Sequence, residues 1–195
     1  MTAGTVGTAV ENTRTRLLAT ALRLFSEHGV EGTSLQMIAA ELGVTKAAVY
    51  YHFKTKDEIA DAVVAPALRE LDQLVDEAST RRTRGARIDH ALAGFVDLLV
   101  RHRTLAALLP SDPGILRAID RSLRPSGREP FTTRLLALIS GPDPDIRERV
   151  LTHVLLAGLG LAAGAPDMAE LDDETLREHL IEAGRRLLGR PRRRQ

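Results

Sequence analysis

The chain has 195 residues and no cysteine, which removes disulfides, thiolate nucleophiles and thiolate metal sites, while the length suffices for a core without such staples. Its formal charge is +1, from 27 Lys and Arg against 26 Asp and Glu, so bulk charge does not by itself point to a polyanionic partner. Apolar runs of roughly 18 residues are missing, which excludes a helical membrane span, and Met1 to Val10 lacks the charged and apolar segments of a secretory leader.

Aromatics make up only 3 % and no alternating apolar pattern is convincing, so the chain reads as helical throughout. Residues 1–10 read as a disordered lead-in. A first helix is expected from Thr13 to His28, where Leu17, Leu18, Ala21, Leu24 and Phe25 recur at helical spacing and Gly29 offers a left-handed stop. A second helix should begin after Thr33, whose pairing with Gln36 predicts a capping box, and should end at Gly43. A short third helix follows from Thr45 to His52, with Val49 and Phe53 turned to the core. A fourth opens on the Thr55 and Glu58 capping pair and carries Pro66 in its interior, where a missing N–H weakens it.

After the basic loop Arg81, Arg82, Thr83, Arg84, Gly85, a fifth helix is expected over Ala86 to His102. Four prolines between residues 109 and 130 predict loops and short pieces, with one helix near Ile115 to Leu123. Phe131 to Ser140 reads as a short helix and Gly141 to Pro144 as a turn. Asp145 to Gly164 is nearly all apolar after Val150 and is expected to be buried on most sides. Asp172 to Gly189 is amphipathic, and residues 190–195 form a basic tail.

Local pattern carries the functional reading. Residues 1–56 hold six Lys and Arg against four acids. Ala39, Gly43 and Val49 stand at the spacings of a helix-turn-helix: a small residue where two helices cross, a glycine at the turn, and an anchor under the second helix. The segment TSLQMIAAELGVTKAAVYYHFKTKDEI, Thr33 to Ile59, resembles the DNA-binding domain of TetR-family repressors, and the likeness extends over about residues 11–71. It implies an all-α protein in which a three-helix DNA-binding domain, with its helix-turn-helix at 34–53, is joined by a long helix to a C-terminal helical ligand-binding and dimerisation domain over 72–189.

By position, the resemblance implies that Thr45, Lys46, Ala47, Tyr50, Tyr51 and His52 face DNA from the recognition helix. It implies further contacts from Ser34 and Gln36 at the start of the second helix, and from Lys56 to a phosphate. The chemistry agrees. Capped helix starts offer free N–H groups, Lys46 can reach a phosphate or a guanine edge, and the tyrosines can donate to phosphates or pack on sugar and thymine methyl. Two readings stand for Tyr50, contact or packing, and two for His52, contact or a hydrogen bond closing its helix. Lys54 reads as a solvated lysine.

Operator binding needs two half-sites and hence a homodimer on palindromic double-stranded DNA. The expected interface is the last two helices, through Val154, Gly158, Leu161, Leu176, Leu180, Gly184 and Leu187; the alternative is that the leucines serve only their own core. The resemblance also implies an effector pocket, for which Phe95, Leu99, His102, Leu105, Leu109, Ile115, Phe131, Leu135 and His153 are the candidates, and an unknown apolar or amphipathic small molecule is the expected ligand. Pro66 would let that ligand bias the angle of the fourth helix. No cofactor, no metal and no membrane partner is expected, and the expected compartment is the cytoplasm. Nothing resembles a phosphate loop, a nucleophile elbow or HExxH, so an enzyme is the weaker class. A constitutive DNA-binding regulator without effector, its Arg-rich tail adding unspecific affinity, is the alternative function.

Overall fold

The computed structural model describes residues 4–123, 131–141 and 143–190, with side chains from Thr13 onward apart from that of Phe131. Every regular element among them is helical: α1 Gly4–Gly32, α2 Leu35–Leu42, α3 Lys46–His52, α4 Lys56–Ser79, α5 Arg84–Arg101, α6 Arg103–Leu108, α7 Pro113–Leu123, α8 Phe131–Ser140, α9 Ile146–Ala163 and α10 Asp173–Leu187. A single 3-10 turn, Pro166–Met168, links the last two. No helix among the described residues is long and apolar enough to cross a membrane.

The chain divides into two compact units. One comprises Met1–Pro66 with Ser111–Ser122, the other Ala67–Pro110 with Leu123–Gln195. The division falls inside α4 at Pro66, and α7 joins the N-terminal unit although it lies far along the chain.

In the N-terminal unit, α1 starts at Gly4, where the sequence suggested an unstructured lead-in. Once a helix is nucleated, each added residue gains a hydrogen bond, so propagation past the Thr13 cap position costs little. The helix breaks at Gly29, with φ 72° and ψ 164°, and a last turn runs to Gly32. Leu17, Ala21, Phe25 and Val30 are buried on its inner side with Ile38, Ala39, Val49, Ile59 and Val64. The expected Thr33–Gln36 capping box is absent. Ser34 is the cap, accepting from Met37 N at 3.2 Å, and Thr33 is buried with its hydroxyl directed at the Leu24 and Gly29 carbonyls. With Ser34 as cap the third helical position is Met37, which has no side-chain acceptor to close the box.

α7 is fixed from its first turn. Asp112 is 6 % exposed, and its Oδ1 accepts from Gly114 N at 2.7 Å and Ile115 N at 3.1 Å. Its Oδ2 accepts from Val30 N at 2.7 Å, so one carboxylate caps α7 and closes the end of α1. Gly114 passes so close to α1 that a Cβ there would lie 2.5 Å from Val30 Cβ. Arg121 then forks onto Asp61 at 2.9 and 2.7 Å, and Ile115 and Ala118 are fully buried.

In the C-terminal unit, Val75, Leu92, Val96, Leu99, Leu135, Leu155, Leu159, Leu176 and Leu180 form one buried cluster from α4, α5, α8, α9 and α10. α6 lies between the expected fifth helix and the proline-rich stretch, where no element was expected, and Arg103 ties it to the Met168 and Leu171 carbonyls at 2.7 and 3.1 Å. α9 opens on a full capping box between Asp145 and Glu148. It is not buried on most sides as expected. Thr152, Leu155, Leu159 and Ala163 face the core, while Ile146, Val150, Val154 and Leu161 are exposed. One helix has only one face toward its own core, so apolar residues all round leave an uncovered stripe when a single chain is considered.

Candidate nucleic-acid interface

The turn between α2 and α3 follows from three residues. Gly43 takes φ 66° and ψ 30°, a conformation that side chains resist. Its N–H and that of Val44 reach back to Ala40 and Ala39 carbonyls at 3.1 and 3.0 Å, satisfying the end of α2. Ala39 is fully buried beneath the turn. Thr45 then caps α3 by accepting from Ala48 N at 3.2 Å.

Within α3 the helical period sorts the side chains. Val49 is fully buried and Phe53, which follows the helix, is 5 % exposed. Thr45, Lys46, Ala47, Tyr50 and Tyr51 are exposed, the last at 74 %. Most of that ring stands in solvent. Lys46 Nζ lies 5.5 Å from the centroid of the Tyr50 ring, a cation–π contact that holds both at the outer face. His52 is half-buried and meets Tyr51 edge-on with centroids 5.2 Å apart. Ser34 and Gln36 are exposed at the start of α2.

Two lysines beside α3 have partners within the protein. Lys54 is not merely solvated: its Nζ donates to Tyr50 O at 2.7 Å and so caps a terminal carbonyl of α3. Lys56 is engaged within the protein, donating to Glu31 O at 3.2 Å and to the Glu31 carboxylate. The same carboxylate accepts from Arg117 of α7. The Glu31 carboxyl is held below the usual glutamate range by the hydrogen bond and charge of Lys56, against a small desolvation, with Arg117 adding to the effect. Arg14 of α1 sits 5.1 Å from the Phe53 ring centroid, a neighbour that no sequence spacing would reveal. Lys54 was legible, since it stands four residues beyond Tyr50, within reach of a carbonyl in the last turn.

The residues expected to line an effector pocket are divided between the two units. Leu99 and Leu135 are buried in the C-terminal cluster, with Phe95 half-buried against it; Leu105 is also buried and Leu109 half-buried. Ile115 is buried in the N-terminal unit, His153 is exposed with its ring on Arg149 O at 2.7 Å, and the Phe131 side chain lies outside the described ones. His102 Nε2 lies 3.2 Å from Glu70. Burial would raise the Glu70 carboxyl, but His102 and then Arg101 outweigh it and hold it below its ordinary value. No group of three or more His, Cys, Asp or Glu among the described residues is placed to hold a metal ion.

Of the residues expected at a dimer surface, Leu176, Leu180 and Gly184 face their own core, with Gly184 against Leu92. Val154, Leu161 and Leu187 are exposed at 55, 53 and 44 %, and Gly158 faces open space. The amphipathic pattern of α10 was the inward face, and the outward apolar face is chiefly that of α9.

Residues 17–63 match the family described as bacterial regulatory proteins, tetR family. The chain is 51 % identical over 49 residues to the HTH-type transcriptional regulator AcrR of Shigella flexneri, covering 25 % of this chain and 23 % of that protein. It is 41 % identical over 63 residues to the probable acrEF/envCD operon repressor of Escherichia coli strain K12, covering 31 % and 29 %. The matched segment is thus under a third of the length of either relative. A member of the TetR transcriptional regulator family from Streptomyces coelicolor A3 has the same fold, with a TM-score of 0.68, 22 % identity and 91 % of each chain covered. Residues 17–63 are thus similar to the TetR-family N-terminal region, and the chain shares its helical fold with a solved member of that family.

Proposed function

We propose that the chain is a transcriptional regulator that binds a palindromic DNA operator as a homodimer through α3, acting as a repressor. The observation that carries this is the sorting of α3: Val49 and Phe53 are buried, while Lys46, Ala47, Tyr50 and Tyr51 stand exposed on a short capped helix. Such a face suits a major groove, where lysine reads guanine acceptors, a small alanine admits a base methyl, and tyrosines reach sugar and phosphate. Repression is favoured by the operon repressor among the relatives. A second copy is the partner best suited to the exposed Ile146, Val150, Val154 and Leu161, because it covers one self-complementary apolar face with another.

Release by a small apolar or amphipathic ligand is the further part of the proposal and rests on family likeness. A constitutive regulator without an effector is the alternative reading.

Selection of bound duplexes from a random library tests the function. A palindromic consensus is the expected result, and a chain that enriches no sequence refutes it. On the selected duplex, Lys46→Ala should relax preference at one base position by about 1–3 kcal/mol.

A further inference from the structure

Glu31, Lys56 and Arg117 form one ion cluster within the N-terminal unit. Glu31 belongs to the last turn of α1, Lys56 is the first residue of α4, and Arg117 lies one turn into α7. The two oxygens of Glu31 are divided, one to Lys56 and the other to Arg117. The lysine side chain is 31 % exposed and that of Arg117 is 48 %, so solvent and ions reach the cluster. Resting on the DNA-binding reading above, we propose that Arg117 is a positioning residue for operator binding: by sharing Glu31, it releases Lys56 to a DNA phosphate.

Charge makes the argument. Lys56 and Glu31 alone are a neutral pair, and a phosphate approaching the ammonium also meets the carboxylate beside it. With Arg117 on the second oxygen the trio carries one net positive charge, and the carboxylate has an alternative partner when Lys56 turns outward. All three groups are in contact, well inside the screening length of about 8–10 Å at moderate salt, so the exchange survives under physiological conditions. Arginine suits the role because its charge does not titrate and its fork can stay on the carboxylate.

Arg117 is not a wandering surface residue. The Asp112 cap fixes the start of α7 on Val30, and the Arg121 fork fixes it on Asp61 one turn beyond Arg117. Arg117 is thereby held over the end of α1. The segment carrying it leaves the other unit at Pro110 and rejoins it at Leu123, so any change that lifts α7 from Val30 also withdraws the guanidinium from Glu31.

The test measures binding of the full chain to the selected duplex, and to a scrambled duplex of equal length, by fluorescence anisotropy across a salt series. Arg117→Gln should weaken binding to both duplexes by roughly two- to fivefold at low salt, with the difference shrinking at high salt. Arg117→Lys should retain most of the affinity. Glu31→Gln should bind at least as tightly as the unaltered chain, and adding Arg117→Gln to it should change nothing further. In a Lys56→Gln background, Arg117→Gln should have no effect. An Arg117→Gln chain that matches the unaltered one on a duplex the latter binds overturns this proposal alone. A loss that persists without Lys56 also overturns it, because Arg117 would then touch DNA itself or act on the fold. An unaltered chain that binds neither duplex removes the DNA-binding reading and this proposal together.

Discussion

Replacing Asp112 with alanine should cost the N-terminal unit about 2–4 kcal/mol, because one buried carboxylate does two separable jobs. Its Oδ1 serves the first turn of α7 through Gly114 N and Ile115 N, and loss of such a cap costs about 0.5–2 kcal/mol. Its Oδ2 serves Val30 N, and a buried N–H left without an acceptor costs about 1–3 kcal/mol. Val30 is fully buried, so water does not readily replace the lost acceptor. Relief from burying the carboxylate offsets part of the total, which argues against simple addition of the two upper limits. Asp112→Asn separates the jobs. Its amide oxygen can still cap α7, but its NH2 then faces the Val30 N–H, donor against donor, and the cost should be about half that of alanine. Urea titration gives the energies, and hydrogen exchange at the Val30 amide gives the location. If Asp112→Ala shifts stability by less than about 0.5 kcal/mol, or leaves the Val30 amide as protected as before, the reasoning fails.

The Asp172 carboxyl is held below the usual aspartate range by the backbone N–H and then the hydroxyl of Thr175, at 2.9 and 2.7 Å, with small burial opposing. A carboxyl lowered in the folded state stabilises it fully above the unfolded value and loses that contribution as pH falls through the folded one. Acid titration of the helical circular dichroism should therefore show a limb below the ordinary aspartate range that Asp172→Asn reduces. Gly164→Ala would drive a Cβ into the backbone of Ala107 and should cost at least about 1–3 kcal/mol in thermal unfolding. Gly158→Ala meets open space within the single chain and should be neutral or raise stability by up to about 1 kcal/mol, unless a second copy closes over it. Val154→Asp should shift sedimentation from dimer to monomer and abolish tight operator binding while leaving the helical content intact. A dimer that survives this change removes α9 from the interface.

The helix-turn-helix was legible because its determinants are local. A glycine at the turn, threonine and serine at helix starts, and alternation of Val49 and Phe53 with polar neighbours all act within a few residues of one another. Even the misplaced cap, Thr33 in place of Ser34, moved a boundary by one residue without changing which side chains face out. The station of α7 was not legible, since nothing in residues 111–122 says that their partner is a buried valine amide more than eighty residues earlier. The local part of that signal was present, an Asp-Pro pair that caps a helix and starts it, but a cap names no tertiary neighbour.

The two last helices show why apolar pattern alone misdirects an interface. In α10 the apolar residues Leu176 and Leu180 are spent on the core of their own unit, and the helix returns polar groups to solvent. In α9 a similar inward set, Leu155 and Leu159, is followed around the helix by Ile146, Val150, Val154 and Leu161, which remain more than half exposed. Amphipathicity marks a face that the fold already covers, whereas a helix apolar on both sides carries one face more than a single chain can bury. For the proposed homodimer, the interface signal would therefore be the excess of apolar residues in 145–164 rather than the regular leucine spacing of 172–189. A homodimer built on α9 is the arrangement that covers it without requiring a second protein.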